Sequence, residues 1–251
     1  MKSVNPEERT FERFTLNQRI QHITLIASFT TLVITGLPLR YADTVWAGWL
    51  FTLLGGPTGR ALIHRIAAVM MMGLAVYHVG YLILAPRGRR DFLLLLPRPQ
   101  DALDMIQHML YYLGIRKDPP RFGRFSYLEK FEYLALFWGT GVMIATGLVL
   151  WFHTRALFLF PLWVVDICRI AHSYEALLAF LSILVWHMYC VHLNADVFPM
   201  SRVWLTGRMT ETEMRHHHPR EYEEIMRREQ EEKREQVQLE TTVTAGKGSA
   251  R

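Results

Sequence analysis

The amino-acid sequence predicts an all-α membrane protein, a four-transmembrane-helix bundle with both termini cytoplasmic. Three observations carry that prediction. Four stretches run for about twenty residues with almost no charge, the length needed to cross hydrocarbon. Charge is gathered at the two ends and in one central connection. Histidines recur inside the apolar stretches at spacings that stack them on one helix face. The mean hydropathy of +0.09 and the 20% of charged residues average over these two populations and hide the membrane signal.

An N-terminal arm, residues 1–19, precedes the first apolar stretch. It contains both Glu and Arg, and no small-residue cleavage site follows, so the first stretch is a spanning helix and not a cleaved signal. The expected spans are Ile20–Leu39, Ala61–Leu84, Phe131–Phe152 and Ile170–Leu193, helical because lipid offers backbone groups no water to bond. They define a membrane domain over residues 20–208, interrupted by a long connection, 85–130. That connection carries nine Lys or Arg, from Arg87 to Lys130, whereas the first and third connections hold only Arg40, Arg60, Arg155 and Arg169. Positive loops are retained inside, so the connection is cytoplasmic, and four spans then place both termini inside as well.

Within the connection, Pro99–Gly114 sets Leu103, Ile106, Leu110 and Leu113 at helical spacing, as expected of a segment lying on the membrane surface or the bundle end. A charged tail, 209–251, alternates Glu with Arg and Lys after Glu221. A solvated helix with a disordered end is expected there. The pI near 9.3 calls for no nucleic acid, since topology and anionic lipid headgroups account for it.

The two cysteines exclude several chemistries. No Cys-x-x-Cys-His is present for covalent haem, and no spacing suits an iron–sulfur cluster or zinc. Cys168 and Cys190 lie on one helix, roughly 33 Å apart, beyond disulfide reach.

Ionisable residues inside a membrane are functional candidates by default. Five histidines qualify: His22 in the first span, His64 and His78 in the second, His172 and His187 in the fourth. At 100° per residue a separation of 14 returns within about 40° of the same face, and 15 within about 60°. Each pair is therefore stacked, with an axial rise of roughly 21 to 23 Å that sets one member near each edge of the hydrocarbon. His64 and His172 fall near the outer surface, while His22, His78 and His187 fall near the inner one. Such matched depths suit two b-type haems, one above the other, each iron closed by two imidazoles and thus fit for electron transfer. His187 can pair with His22 or His78, and geometry by itself prefers His78; a third haem would follow if both ligate. Arg65, Arg169, Arg19 and Arg13 lie at suitable depth for the haem propionates.

The chain resembles the cytochrome b, or gamma, subunit of membrane-bound formate dehydrogenases and their relatives in hydrogenase and thiosulfate reductase complexes, a dihaem family. The likeness lies in RIQHITLIASFTTLVITG with His22, Thr35 and Gly36, in LIHRIAAV with His64, in IAHSYEALLA and WHMYCVH with His172 and His187, and in a tail carrying His216–His218 before Pro219. That resemblance implies an outer haem on His64 and His172 and an inner haem on His22 and His187. His78 is then left to bond a quinone, to pack, or to replace His22. The family's quinone-site Asn corresponds to Ser126, whose hydroxyl offers fewer bonding options than an amide.

The resulting expectation is a dihaem b-type cytochrome of the bacterial inner membrane, with no substrate chemistry of its own. It would relay electrons between an iron–sulfur or multihaem redox subunit on the periplasmic side and menaquinone or ubiquinone, within a hetero-oligomeric complex. Two other classes compete: a haem-free anchor for a soluble enzyme, and a transporter or proton channel, against which the scarcity of mid-membrane acids argues.

Overall fold

The computed structural model describes residues 8–248, with side chains described as far as residue 241. Its helices are α1 (Leu16–Arg40), α2 (Val45–Leu53), α3 (Gly56–Leu84), α4 (Pro86–Leu95), α5 (Pro99–Tyr112), α6 (Tyr127–Trp151), α7 (His153–Leu159), α8 (Leu162–Leu181), α9 (Val203–Thr206), α10 (Glu211–His217) and α11 (Pro219–Gly248). Two three-residue strands, β1 (Thr10–Glu12) and β2 (Arg208–Thr210), pair with each other. Four helices are long and apolar enough to span a membrane: α1, α3, α6, and α8 with its continuation to Leu193. The fourth begins eight residues earlier than the expected span Ile170–Leu193. Asp166 and Arg169 stand in the added turns without interrupting the helix, because at i, i+3 they lie 3.6 Å apart and neutralise one another.

The chain divides into two units. One comprises Glu12–Leu95 with Phe131–Arg208, and the other the residues up to Phe11 with Leu96–Lys130 and the chain from Met209 onward.

In the first unit α1 starts at a capping box, in which the Thr15 side chain receives the Gln18 amide and the Gln18 side chain receives that of Thr15. Its buried face is polar and small, not oily: Gln21, Ser28 and Thr35 recur every seven residues. On the antiparallel α3 the partners also recur every seven, so that Gln21 meets His78, Ser28 meets Met71 at 3.8 Å, and Thr35 meets His64. Small and hydroxylated residues at such a seam let backbones approach in lipid, where apolar side chains gain nothing by leaving it. Large apolar side chains accordingly point away: Ile20, Ile23, Ile26 and Ile34 of α1 and Leu62, Ile66, Val69 and Val76 of α3 are exposed. None of the apolar window of the fourth span is buried inside the chain, so packed hydrocarbon is not what holds it.

Beyond Leu181 the fourth span widens into π-helical turns, Ser182–His187 and Tyr189–Leu193. Such turns advance by less than 100° per residue, and they cluster at functional positions.

The second unit is held by polar contacts. Lys130 donates to both carboxylate oxygens of Asp101 at 2.7 and 2.9 Å, with Lys130 itself buried. The His108 Nδ1 meets the Tyr127 hydroxyl at 3.0 Å, and its ring stacks on Tyr112. The buried His218 binds the Gly123 carbonyl at 2.7 Å, Arg124 pairs with Glu221 at 3.1 Å, and Arg9 pairs with Glu229. Leu103, Ile106 and Leu113, the stripe read from the sequence, are exposed, as are Met105 and Met109. Helix α11 continues through Thr241 to Gly248, a stretch expected to be disordered, while residues 249–251 lie outside the described residues.

Two outcomes follow. Ser28→Leu overfills a site that is 1% exposed and is expected to destabilise by about 1–3 kcal/mol, read as a lowered thermal midpoint in detergent. Asp101→Asn leaves the Lys130 ammonium buried and unpaired, with an expected loss of about 3 kcal/mol in denaturant titration of the full chain.

Candidate functional site

Four of the five intramembrane histidines, all but His22, are held by a hydrogen bond to a specific neighbour. Thr35 on α1 lies with its Oγ1 2.8 Å from the Nδ1 of His64, and Thr146 on α6 lies 2.9 Å from the Nδ1 of His172 on α8. Each threonine donates its own proton back along its helix, Thr35 to the Thr31 carbonyl and Thr146 to the Val142 carbonyl, both at 2.7 Å. Only a lone pair of the hydroxyl then faces the ring, so each imidazole carries its proton on Nδ1 and keeps a bare lone pair on Nε2. This is the tautomer a metal requires. A glycine follows each threonine. A Cβ at Gly36 would meet the His64 Cε1 at 3.5 Å, and one at Gly147 would meet the His172 Cε1 at 3.1 Å.

The second pair is His22 and His187, with ring centroids 6.5 Å apart and planes 59° to one another. Two imidazoles on opposite sides of one ion, each about 2 Å from it through a nitrogen, place their centres at roughly this separation. The Nδ1 of His187 meets the Glu132 carboxylate at 3.2 Å, which fixes its proton there too. His22 lies edge-on to Trp204, and its Nδ1 is buried with no hydrogen-bond partner among the described residues. A pure α-helix would displace His187 from the face of His172 by about 60°. The π turn that contains His187 rotates it back.

His78 is engaged on both sides. Its Nδ1 donates to the Gln21 Oε1 at 2.7 Å, and its Nε2 accepts from the Tyr133 hydroxyl at 2.9 Å. The chain continues with one polarity: Gln21 donates to the Asn17 Oδ1 at 2.5 Å, and Asn17 donates to the Tyr77 oxygen at 2.6 Å. Among the described residues the Tyr77 hydroxyl proton goes to no protein group. Tyr77, Asn17 and Gln21 line a groove of about 520 Å³ whose remaining walls are Leu16, Ile20, Thr24, Gly73 and Leu74. Ser126, by contrast, is spent locally. Its hydroxyl donates to the Glu129 carboxylate at 2.8 Å and accepts the Glu129 amide, capping α6.

Sequence reasoning missed Thr146 and Gly147, Glu132, Tyr133 and the Gln21 link. One signal was available for the first two, since the tripeptide Thr-Gly-Leu occurs in the first span at Thr35 and again in the third at Thr146. Of the arginines picked by depth, Arg65 stacks on Trp151 at 5.4 Å, Arg169 pairs with Asp166, and the buried Arg13 donates its amide to the Gly207 carbonyl. Cys168 and Cys190 form no disulfide. Among the described residues no cluster of three or more His, Cys, Asp or Glu is fit to hold a bare ion, and the His216–His218 run is no exception.

His64, His172 and His187, each with an acceptor at Nδ1 that leaves Nε2 bare, the His22–His187 ring pair, and glycines against the rings of His64 and His172 fit b-type haem. The Nδ1 of His22 is buried without a partner among the described residues. The fold and the donor set thus define a helical membrane cytochrome of the b class. The profile of the prokaryotic cytochrome b561 family matches residues 13–204, and the chain belongs to that family. It is therefore a haem b protein of membrane electron transfer. No curated protein matches it.

Because the Gly147 contact is tight and Gly73 has open space around it, Gly147→Val is expected to lower thermal stability by about 1–3 kcal/mol. Gly73→Val, at an equally apolar helix position, loses only a fraction of that in the same melting experiment.

Proposed function

We propose that this chain is the dihaem subunit of a bacterial inner-membrane oxidoreductase complex, relaying electrons between a redox subunit outside and the quinone pool. The observation that carries this reading is the duplicated Thr–His arrangement at one depth, together with the His22/His187 pair at the other. His64 and His172 would hold one haem and His22 and His187 the other. When bound, each haem supplies a one-electron carrier with no open coordination position. The resemblance to formate dehydrogenase gamma subunits supports the same ligand set, with an iron–sulfur or multihaem partner on the periplasmic side.

The chain's own groups tune that function. Thr35, Thr146 and Glu132 accept the Nδ1 protons, which keeps the imidazoles neutral, oriented and basic. Glu132, a carboxylate, is the strongest acceptor of the three and favours the oxidised state on its side. His78 offers no free nitrogen to iron, and its bonds to Gln21 and Tyr133 suit a residue that organises the quinone end. There the Tyr77 hydroxyl, backed by Asn17, has a proton to donate to a quinone carbonyl, with the apolar groove walls beside it. The hydroxyl of Ser126 is already engaged and would have to leave the helix cap to take that part.

Pyridine haemochrome analysis of the purified protein is expected to give two haems b per chain, one in His22→Ala and two in His78→Ala. Absence of haem from the wild type would end the electron-carrier reading and leave the anchor or transporter. Loss in His78→Ala alone would move the second haem onto α3.

A further inference from the structure

We propose that Arg19 and Arg60 are the propionate anchors of the two haems, one arginine to each. The inference rests on the dihaem reading above and adds to it the residues that recognise the acidic edge of each haem.

Among the described residues, three buried side-chain nitrogens lack any hydrogen-bond partner: the Nδ1 of His22, the Nε of Arg19 and the Nε of Arg60. Their positions are not scattered. Arg60 precedes His64 by four residues on α3, and Arg19 precedes His22 by three on α1, separations that put each guanidinium on the face of its histidine, one turn nearer the end of the span. Propionates belong at that level, since their charge must stay near the membrane edge.

Each guanidinium is fixed in the same manner. The Nη1 of Arg60 donates to the Thr35 carbonyl at 2.8 Å, from the very residue whose hydroxyl holds His64. The Nη1 of Arg19 donates to the Thr206 carbonyl at 2.9 Å. With Nη1 engaged, the Nε–Nη2 edge remains, and that edge is the fork that grips a carboxylate with two parallel hydrogen bonds. The path for Arg19 is kept open by Gly207, where a Cβ would approach its Cδ to 3.1 Å and its Nη1 to 3.3 Å.

Among the other arginines near the span ends, Arg40 donates to Ser173 and lies over Tyr174, Arg65 lies over Trp151, and Arg169 pairs with Asp166, while Arg60 itself lies over Phe51 at 5.9 Å. Arg19 and Arg60 form no ion pair with a carboxylate among the described residues. A half-buried guanidinium with a buried, unbonded Nε beside a haem-ligand histidine suits an anion, and the ligand brings two.

The test uses the full chain, produced without haem and placed in uncharged detergent, titrated with haemin and with haemin dimethyl ester while Soret absorption is followed. The wild type is expected to bind the diacid more tightly than the ester. In Arg60→Gln and in Arg19→Gln the diacid should weaken by about tenfold at one site, with ester affinity unchanged, so that the ester serves as the folding control. Equal affinity of the wild type for diacid and ester would overturn the anchors while leaving the dihaem reading intact. Equal weakening of both ligands in the variants would mean a structural role and would also overturn them. If phosphatidylglycerol displaces neither haemin nor its preference over the ester, the carboxylate is the ligand; if it abolishes that preference, the arginines are headgroup sites and the proposal fails. Binding of neither ligand would sink the dihaem reading along with this one.

Discussion

A threonine hydroxyl that has already given away its proton is the interaction on which this structure turns. Inside a membrane helix, threonine can donate to the carbonyl one turn back, and both Thr35 and Thr146 do so. The spent hydroxyl can then only accept, so the neighbouring imidazole must present Nδ1–H to it. One local habit of a β-branched alcohol thereby decides the chemistry of a histidine on another helix.

The same constraint explains the unusual packing. Within the spanning unit, α1 and α3 are joined along a seam of Gln21, Ser28 and Thr35 against His78, Met71 and His64, while the large aliphatic residues face outward. In water this inversion would be untenable. In hydrocarbon, apolar surface is neutral between lipid and protein, so polar contacts and close backbone approach select the helix pairs. The π turn at His187 belongs to the same economy of placement, because a strict α-helix would carry that ring away from the face it shares with His172.

Two acidic groups are answered by a basic partner. Glu132 sits against His187, and Asp101 holds Lys130 in the other unit. Glu175 reaches over Gly139, where a Cβ would meet its Oε1 at 2.5 Å. The Nε atoms of Arg19 and Arg60 and the Nδ1 of His22, buried and unbonded among the described residues, belong to the histidines read as ligands or to residues three or four places before them.

The sequence by itself determined the four spans, because about twenty apolar residues with almost no charge have one stable fate in a bilayer, and it determined which histidines could stack, because helical rotation is fixed by residue number. It also contained the Thr-Gly-Leu repeat, whose meaning is invisible until α1 lies beside α3 and α6 beside α8. Only the tertiary structure decided what each histidine is bonded to. His22 and His78 have the same residue type and similar depth, yet one ring keeps a buried nitrogen unused while the other is bonded on both sides by Gln21 and Tyr133. That difference depends on side chains contributed by separate helices, and no periodicity within one helix encodes which neighbour will stand across from it.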